Sequence, residues 1–156
     1  MTTMAVTTFD GIDQVRAAVG SHLGYSDYTE MTQQRVDQFA DATGDHQWIH
    51  VDRERAKAGP FHTTIAHGYL TLSLLPALVQ ELYRVENVRM GVNYGLNKVR
   101  FPAPLRVGSS VRATAELLTA EPVPGGYQLV SRVTVTADGS DKPCCVAETV
   151  TRLYPA

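Results

Sequence analysis

The segment from Gly68 to Tyr83 constrains the fold of this chain more than any other part of its sequence. Its spacing predicts a helix with apolar side chains on nearly every side. Such a helix is expected in the interior of a domain, because no side of it favours water. Pro76 lies inside the segment and lacks a backbone N–H, so we expect a kink or a break there. The apolar residues are Leu70, Leu72, Leu74, Leu75, Leu78, Val79 and Leu82.

The sequence pattern changes after this helix. Residues 91–101, 107–119, 127–137 and 144–154 are rich in Val, Thr, Tyr and Leu and are separated by Pro and Gly. Such runs predict four strands joined by short turns, and therefore an antiparallel sheet. A further strand is expected between Leu23 and Glu30. Helices followed by strands are typical of an α+β fold, here with a sheet able to wrap around the central helix.

The residues before the central helix predict three short helices. The first 20 residues carry apolar side chains at three- and four-residue spacing, namely Phe9, Ile12, Val15 and Val19, with Gly20 as a stop. A second helix is expected from an N-cap at Thr32 to Gly44, and a third from an N-cap at Asp52 to Gly59-Pro60. A length of 156 residues fits one domain. We therefore predict a single domain over residues 1–156, with residues 1–20 as an N-terminal helical extension.

The charge and the cysteines exclude several classes of protein. The net charge is −2 and Lys and Arg are scattered, which disfavours nucleic acid and anionic membranes as partners. No apolar run approaches the roughly 18 residues of a membrane span, and Met1–Thr8 lacks the pattern of a signal peptide. Cys144 and Cys145 are adjacent, so a disulfide between them would be strained. Two free thiols in a reducing compartment, and hence a cytoplasmic location, are expected.

The polar segment from Gly44 to His50 contains two groups that handle protons. Asp45 and His50 follow the glycine that ends the second helix, so we expect them on a loop between helices. A histidine and a carboxylate can exchange protons near neutral pH, as the addition of water to a conjugated double bond requires. The alternative is that Asp45 caps the following turn and that His50 is a packed polar residue.

Ala66-His67-Gly68 stands directly before the central helix. Backbone N–H groups at a helix N-terminus are free to donate hydrogen bonds to an anionic oxygen, and Gly68 has no side chain to keep a carbonyl away. An enolate oxygen formed there would be stabilised as in an oxyanion hole. The alternative is a tight turn that His67 fixes before the helix.

These segments together resemble the MaoC-like family of (R)-specific enoyl-thioester hydratases and 3-hydroxyacyl-thioester dehydratases. The run Phe39–Asp52, with Gly-Asp-His-Gln-Trp-Ile-His at its centre, is similar to the family's hydratase signature, and His67-Gly68 is similar to its second landmark. Asn97–Pro104 resembles the strand after the helix. The Asp-His-Gln-Trp-Ile-His form of the signature, together with Tyr94–Pro102, resembles a nodulation-protein-N-like subgroup. The resemblance spans roughly residues 20–153. It implies a hot-dog fold and a homodimer joined edge to edge, with the site near the interface.

The resemblance also implies roles for individual residues. Asp45 and His50 would activate water, and the Gly68 N–H would bind the thioester oxygen. Gln47 replaces the family's asparagine and keeps an amide that can orient a partner, while Trp48 replaces a proline and either narrows the pocket or packs in the core. No metal and no redox cofactor are implied; coenzyme A or acyl carrier protein would be part of the substrate.

Three further residues are candidates for substrate binding. His67 adjoins the glycine, and Asn93 and Asn97 are expected on one face of a strand, where they either line the site or face water. The histidines at 46, 50, 62 and 67 also permit a metal site, but their spacing is not that of a helical zinc motif. The expected activity is hydration of an enoyl thioester or the reverse dehydration. A hot-dog acyl-CoA thioesterase and a non-catalytic acyl-thioester-binding module are the alternatives.

Overall fold

A computed structural model describes residues 6–156, so predictions about residues 1–5 lie outside the described part of the chain. The helices are α1 (Ile12–Ala17), α2 (Gln33–Thr43), α3 (Trp48–Val51), α4 (Arg53–Lys57), α5 (Gly68–Ser73) and α6 (Leu75–Val79). The strands are β1 (Thr7–Asp10), β2 (His22–Tyr25), β3 (Thr29–Glu30), β4 (Tyr83–Glu86), β5 (Val88–Arg100), β6 (Ser110–Val123), β7 (Gly126–Ala137) and β8 (Cys145–Pro155).

An antiparallel sheet of six strands forms the body of the fold. Its order is β2-β6-β7-β8-β5, and β3 pairs with the end of β6 beside β2. The four long strands correspond to the four predicted runs, and β2 and β3 lie in the segment where a further strand was expected. The α+β prediction is confirmed, because one face of this sheet packs against the central helical segment.

The central segment is one helix with an interruption. Leu74 joins α5 to α6, and backbone bonds from Leu74 to Leu70 and from Leu78 to Leu74 continue across the junction. Pro76 lies in the first turn of the second part, so the predicted break is confirmed. The prediction of burial on every side is wrong for the single chain. Leu70, Thr71, Leu75 and Leu78 face the sheet, while Tyr69 on the opposite side is 71% exposed.

Two short strands, β1 and β4, lie where the sequence predicted parts of the N-terminal and central helices. Thr7–Asp10 lies in β1 and pairs in parallel with β4, which begins at Tyr83, where the central helix was expected to continue. Only Ile12–Ala17 of the N-terminal extension is helical. The apolar spacing of this region is real, since Phe9 and Val15 are both buried in the main core. Local spacing could not show that two distant segments pair, because strand pairing depends on tertiary contacts.

The predicted N-caps Thr32 and Asp52 are confirmed, and they begin α2 and α4. The Thr32 side chain accepts a hydrogen bond from the backbone N–H of Arg35, and Asp52 accepts one from that of Arg55. Gly44 ends α2 with φ 86°, a left-handed conformation that glycine adopts without strain. These caps fix where α2 ends and α4 begins, and thereby hold the intervening polar segment.

The two cysteines are free thiols in the structure, as expected. Cys144 and Cys145 are free and buried, and burial raises their pKa values to about 12 and about 11. Thiols of this kind are protonated and unreactive near neutral pH.

Within residues 6–156, no helix is both long and apolar enough to cross a membrane.

Candidate active site

The loop between α2 and α3 carries Asp45 at the protein surface. One carboxylate oxygen of Asp45 accepts the backbone N–H of Gln47 at 3.3 Å, which is the local turn contact foreseen as the alternative to catalysis. The contact uses one oxygen, so the carboxylate keeps further acceptor positions towards solvent. Gln47 contributes its backbone here, and its own side chain is exposed. Asp45 is therefore a turn residue whose carboxylate still has acceptor positions open to solvent.

His50 lies on α3, a single helical turn, where a loop was expected, and its side chain is buried. Its Nδ1 is 2.7 Å from the carbonyl oxygen of Ile65. Because a carbonyl only accepts, Nδ1 carries the proton, and in the neutral ring Nε2 presents a lone pair. Burial lowers the pKa of His50 below its ordinary value of 6.5, and nearby His67 lowers it further, against the opposing effects of the Ile65 hydrogen bond and Asp45. The structure therefore favours neutral His50.

His67 joins Asp45 to His50. Its ring stacks on that of His50 with centroids 3.9 Å apart, and its Nε2 donates to the backbone carbonyl oxygen of Asp45 at 3.0 Å. Phe39 from α2 packs edge-on against the same ring at 4.9 Å. His67 is 3% exposed, and its Nδ1 has no hydrogen-bond partner within the described residues. The residue before the central helix is thus in direct contact with both candidate catalytic residues.

Asp45, His50 and His67 each offer a ligand atom, and these atoms lie within 4.8 Å of one another. The other two histidines considered for a metal, His46 and His62, lie elsewhere: His46 contacts Asp41, and His62 is exposed. The rings of His50 and His67 are only 23° from parallel. Their lone pairs therefore lie in two nearly parallel planes and do not converge on one point, which is a poor arrangement for chelation by both imidazoles.

Gln33, at the first turn of α2, holds the backbone around His50. Its amide nitrogen donates to the carbonyl oxygen of His50 at 2.8 Å and to Asp37 at 2.9 Å, and its amide oxygen accepts from the Thr64 hydroxyl at 2.6 Å. Gln33 and Thr64 are both buried. Sequence reasoning missed this residue, because nothing in a helical pattern shows which glutamine will meet a distant backbone carbonyl.

Replacement of Gln33 by alanine is expected to lower the free energy of unfolding by about 1–3 kcal/mol, since it leaves a buried carbonyl and a buried hydroxyl without their partner. Chemical denaturation measures the change. Gln34→Ala is the matched control, because Gln34 is exposed on the same helical turn. Equal denaturation midpoints for the two variants would show that this network does not stabilise the fold.

Gly68 begins α5 next to His67, so its N–H belongs to the first turn and has no acceptor within the helix. A Cβ at this position would lie 2.9 Å from two carbons of the Phe101 ring. The backbone of Gly68 does not have a positive φ, so glycine is required here for space and not for conformation. Phe101 was not singled out in the sequence, although it belongs to the strand segment that carries the family resemblance.

A cavity of about 460 Å³ opens beside the central helix. Leu72, Ser73, Pro76 and Val79 form its helical wall, starting one turn beyond Gly68. Asp45, His50, His67 and Gly68 do not line it, so the helix is the element that connects these residues to the cavity. The opposite wall belongs to the sheet and consists of residues from β5, β7 and β8.

Only one of the two candidate asparagines lies at the cavity. Asn93 lines it, whereas Asn97 does not. The pairing of β5 with β8 shifts between Asn93 and Gly95 and again between Leu96 and Val99. Such irregularities interrupt the alternation of side chains, so a spacing of four residues does not guarantee one face.

Trp48, which replaces the family's proline, neither lines the cavity nor belongs to the core. It is half-buried, with the Arg55 guanidinium 4.4 Å above its ring and Gly59 against its edge. The substitution therefore changes the surface beside α3 and leaves the cavity wall as it is.

Comparison with known proteins gives close relatives over nearly the whole chain. 3-Hydroxyacyl-thioester dehydratase Z of Mycobacterium tuberculosis is 56% identical over 146 residues, covering 93% of this chain and 97% of the relative. Nodulation protein N of Rhizobium leguminosarum bv. viciae is 42% identical over 141 residues, covering 88% of this chain and 87% of the relative.

The fold and the family model lead to the same group. The solved structure of an (R)-hydratase from A. caviae involved in PHA biosynthesis matches with a TM-score of 0.68 and 24% identity, covering 86% of this chain and 96% of that one. The sheet around a central helix is thus the hot-dog fold, as predicted. The family model described as MaoC like domain matches residues 14–139. The chain therefore belongs to the MaoC-like domain family.

Proposed function

We propose that this protein is a hydro-lyase that interconverts a trans-2-enoyl thioester and an (R)-3-hydroxyacyl thioester. The family and the name of the relative from Mycobacterium tuberculosis support this reaction. The observation that carries the proposal is the geometry of Asp45 and His50. A carboxylate oxygen of Asp45 and a ring nitrogen of His50 lie within 4.8 Å of each other, a spacing that one water can bridge with hydrogen bonds of about 2.8 Å.

In the proposed mechanism the water donates to the Asp45 carboxylate and to Nε2 of His50. As the water oxygen forms its bond to C3, its proton passes to the lone pair of Nε2, and the π electrons move towards the thioester carbonyl. The Gly68 N–H stabilises the resulting enolate oxygen. The proton that Nε2 took from the water is then passed to C2 from the same face, which completes the addition and returns His50 to its neutral form. In dehydration the same steps run in reverse.

The proposed chemistry consists of proton transfer and hydrogen bonding, so we assign no metal and no redox cofactor to the reaction. Coenzyme A or acyl carrier protein enters as part of the substrate. A cytoplasmic location is proposed because free thiols such as Cys144 and Cys145 persist in a reducing compartment.

The proposed function is tested by incubating the purified protein with crotonyl-CoA. We expect the enoyl absorbance to fall as (R)-3-hydroxybutyryl-CoA forms, without release of free thiol. Thiol release without hydration would indicate a thioesterase, and binding without turnover of any enoyl-CoA from C4 to C16 would indicate an acyl-thioester-binding module. Either of these results would overturn the proposal.

The pH profile of hydration is expected to follow His50. Because burial holds the pKa of His50 below 6.5, the ring stays neutral and able to accept a proton down to that pH. kcat/KM, which reports the free enzyme, should therefore stay level from about pH 8 to 6.5 and fall only at lower pH. His67→Gln should move this acid limb to higher pH, since His67 lowers the pKa of His50.

His62→Gln is the control for this experiment, because His62 is exposed and lies outside the group formed by Asp45, His50 and His67. Its profile should match that of the wild type. An acid limb centred above pH 6.5 in the wild-type protein would contradict neutral His50 as the group that accepts the proton.

We further propose a homodimer in which β5 pairs with its copy. β5 is 13 residues long and stands at the edge of the sheet, and its side chains are exposed from Arg89 to Lys98. A long apolar edge strand is a template for pairing with another chain. The exposed side of the central helix lies across the cavity from β5, so one partner would cover both. The exposed apolar residues of β5 are Met90, Val92, Tyr94 and Leu96.

Sedimentation is expected to show a species of two 17.1 kDa chains. Introducing lysine at both Met90 and Val92 should shift it towards the single chain, because like charges would face each other across the interface. Val19→Lys, an exposed position outside the sheet, is the control. A monomeric wild-type protein with full activity would refute this interface.

A further inference from the structure

Polar side chains interrupt the otherwise apolar inner face of the sheet. On β7, Leu129, Val133 and Val135 are buried towards the central helix, and Ser131 lies among them with 3% exposure. Ser131 is directly opposite Thr149 of β8. Buried positions between leucine and valine ordinarily carry apolar side chains, because an apolar group needs no partner there. The hydroxyl of Ser131 therefore requires an explanation.

The interruption coincides with the cavity. Ser131 and Thr149 line it together with Thr151 and Asn93, which face each other across β8 and β5. Tyr83, at the start of β4, lines the same space. We call Tyr83, Asn93, Ser131, Thr149 and Thr151 the polar wall.

The hydroxyl groups of the polar wall are close to one another but keep free hydrogen-bonding capacity. The Ser131 side chain hydrogen-bonds to the Tyr83 hydroxyl, whose pKa burial raises and this bond lowers. Thr149 donates to the backbone carbonyl oxygen of Ser131 at 3.5 Å. Each hydroxyl can donate once and accept twice, so these contacts leave acceptor positions open towards the cavity.

The polar wall lies where the acyl chain of the proposed substrate would run. The cavity begins at Leu72, roughly 6 Å along the helix from Gly68, and reaches Val79, roughly 16 Å along it, at 1.5 Å per residue. A thioester whose carbonyl oxygen is held at the Gly68 N–H would therefore place the reacting carbons before the cavity and the rest of its chain inside it.

We propose that the polar wall binds a hydroxyl or carbonyl oxygen carried by the acyl chain beyond C4, so that the protein prefers oxygenated enoyl thioesters to those with a plain alkyl chain. This inference rests on the proposed function for the position of the chain. An oxygen atom of the ligand can form hydrogen bonds with the polar wall. An alkyl chain displaces water from the polar groups of the wall and forms no hydrogen bonds with them in exchange. Sites built to bond a substrate hydroxyl discriminate strongly against analogues that lack it.

The test measures binding and turnover separately. Calorimetry gives the affinities of two thioethers that cannot be hydrolysed, S-hexyl-CoA and S-(5-hydroxyhexyl)-CoA. Hydration kinetics compare trans-hex-2-enoyl-CoA with its 5-hydroxy derivative. We expect both the affinity and kcat/KM to favour the hydroxylated compound by about tenfold, which is the effect of one well-paired hydrogen bond at the upper end of its usual range.

Two variants locate the preference. Ser131→Ala with Thr149→Val is expected to reduce the ratio between the two compounds to about one, and Thr149→Val alone, which keeps the shape of the side chain, is expected to reduce it in part. Thr134→Val is the matched control on β7, because Thr134 faces the opposite side of the sheet. Its ratio should equal that of the wild type.

The outcomes separate the two proposals. Equal affinities of the wild-type protein for both thioethers would overturn the polar wall, and would show that these hydroxyls serve only each other or water. Unaltered preference in the double variant would do the same. Absence of hydration of every enoyl-CoA from C4 to C16 and of the 5-hydroxy substrate, with the hydroxylated thioether still bound more tightly, would overturn the proposed function and leave the polar wall intact.

Discussion

Replacement of His50 by glutamine is expected to lower kcat/KM for crotonyl-CoA hydration by about 10²–10⁴-fold, the usual contribution of an acid–base group. Glutamine can still donate to the carbonyl oxygen of Ile65, as His50 Nδ1 does at 2.7 Å, but it offers no basic nitrogen to the water. Asp45→Asn should cause a loss of the same order, because the amide accepts less strongly from the water and still takes part in the local turn.

The double variant tests whether the two residues act on one water. Groups that work as a unit give losses that are far from additive, so Asp45→Asn with His50→Gln should be little slower than the slower single variant. His62→Gln is the control, since this histidine is exposed and does not belong to the group formed by Asp45, His50 and His67. Full activity in either single variant, with the fold intact, would remove that residue from the mechanism.

The parts of the site that could be predicted from sequence are those set by local interactions. Thr32, Gly44 and Asp52 mark helix ends through contacts within three or four residues, and such contacts depend on neighbours in the chain. Together they define the segment that holds Asp45 and His50. The assignment of that segment as one half of a site required His67-Gly68, and the stacking of His67 on His50 shows that the two halves meet.

The parts that could not be predicted depend on residues far apart in the sequence. Gln33 meets the backbone carbonyl of His50, Phe101 covers Gly68, and Ser131 meets Tyr83. None of these contacts has a periodicity, because each depends on how separate elements pack. The pairing of β1 with β4 is of the same kind: the spacing around Phe9 identified its burial and gave the wrong secondary structure.

The central helix shows why a hydrophobic segment overstates burial within one chain. Its apolar residues were assigned to one interior, yet in the single chain one side faces the sheet and Tyr69 faces solvent. A helix that packs against its own sheet on one side and against a partner chain on the other carries the same apolar pattern as a helix buried within one core, since both environments favour apolar side chains. The exposed side of the helix and the edge strand β5 are accordingly the features that support the proposed dimer.

Gly68→Ala is expected to reduce kcat/KM by up to about 10²–10³-fold, the effect of losing one donor of an oxyanion hole. The added methyl group would lie 2.9 Å from carbons of the Phe101 ring, so either the ring or the start of α5 must move. Movement of α5 displaces the N–H that we propose holds the thioester oxygen. Alanine favours a helix over glycine by about 1 kcal/mol, so lost activity would not reflect a weaker helix.

A second substitution separates crowding from other causes. Phe101→Ala removes the ring that the new methyl group meets, so Gly68→Ala in the Phe101→Ala background should be nearly as active as Phe101→Ala alone. Steady-state kinetics with crotonyl-CoA measure all three variants, and circular dichroism checks their folds. If the loss persists without the ring, crowding by Phe101 is not its cause. If Gly68→Ala alone is fully active, the position of its N–H tolerates the methyl group and the requirement for glycine is refuted.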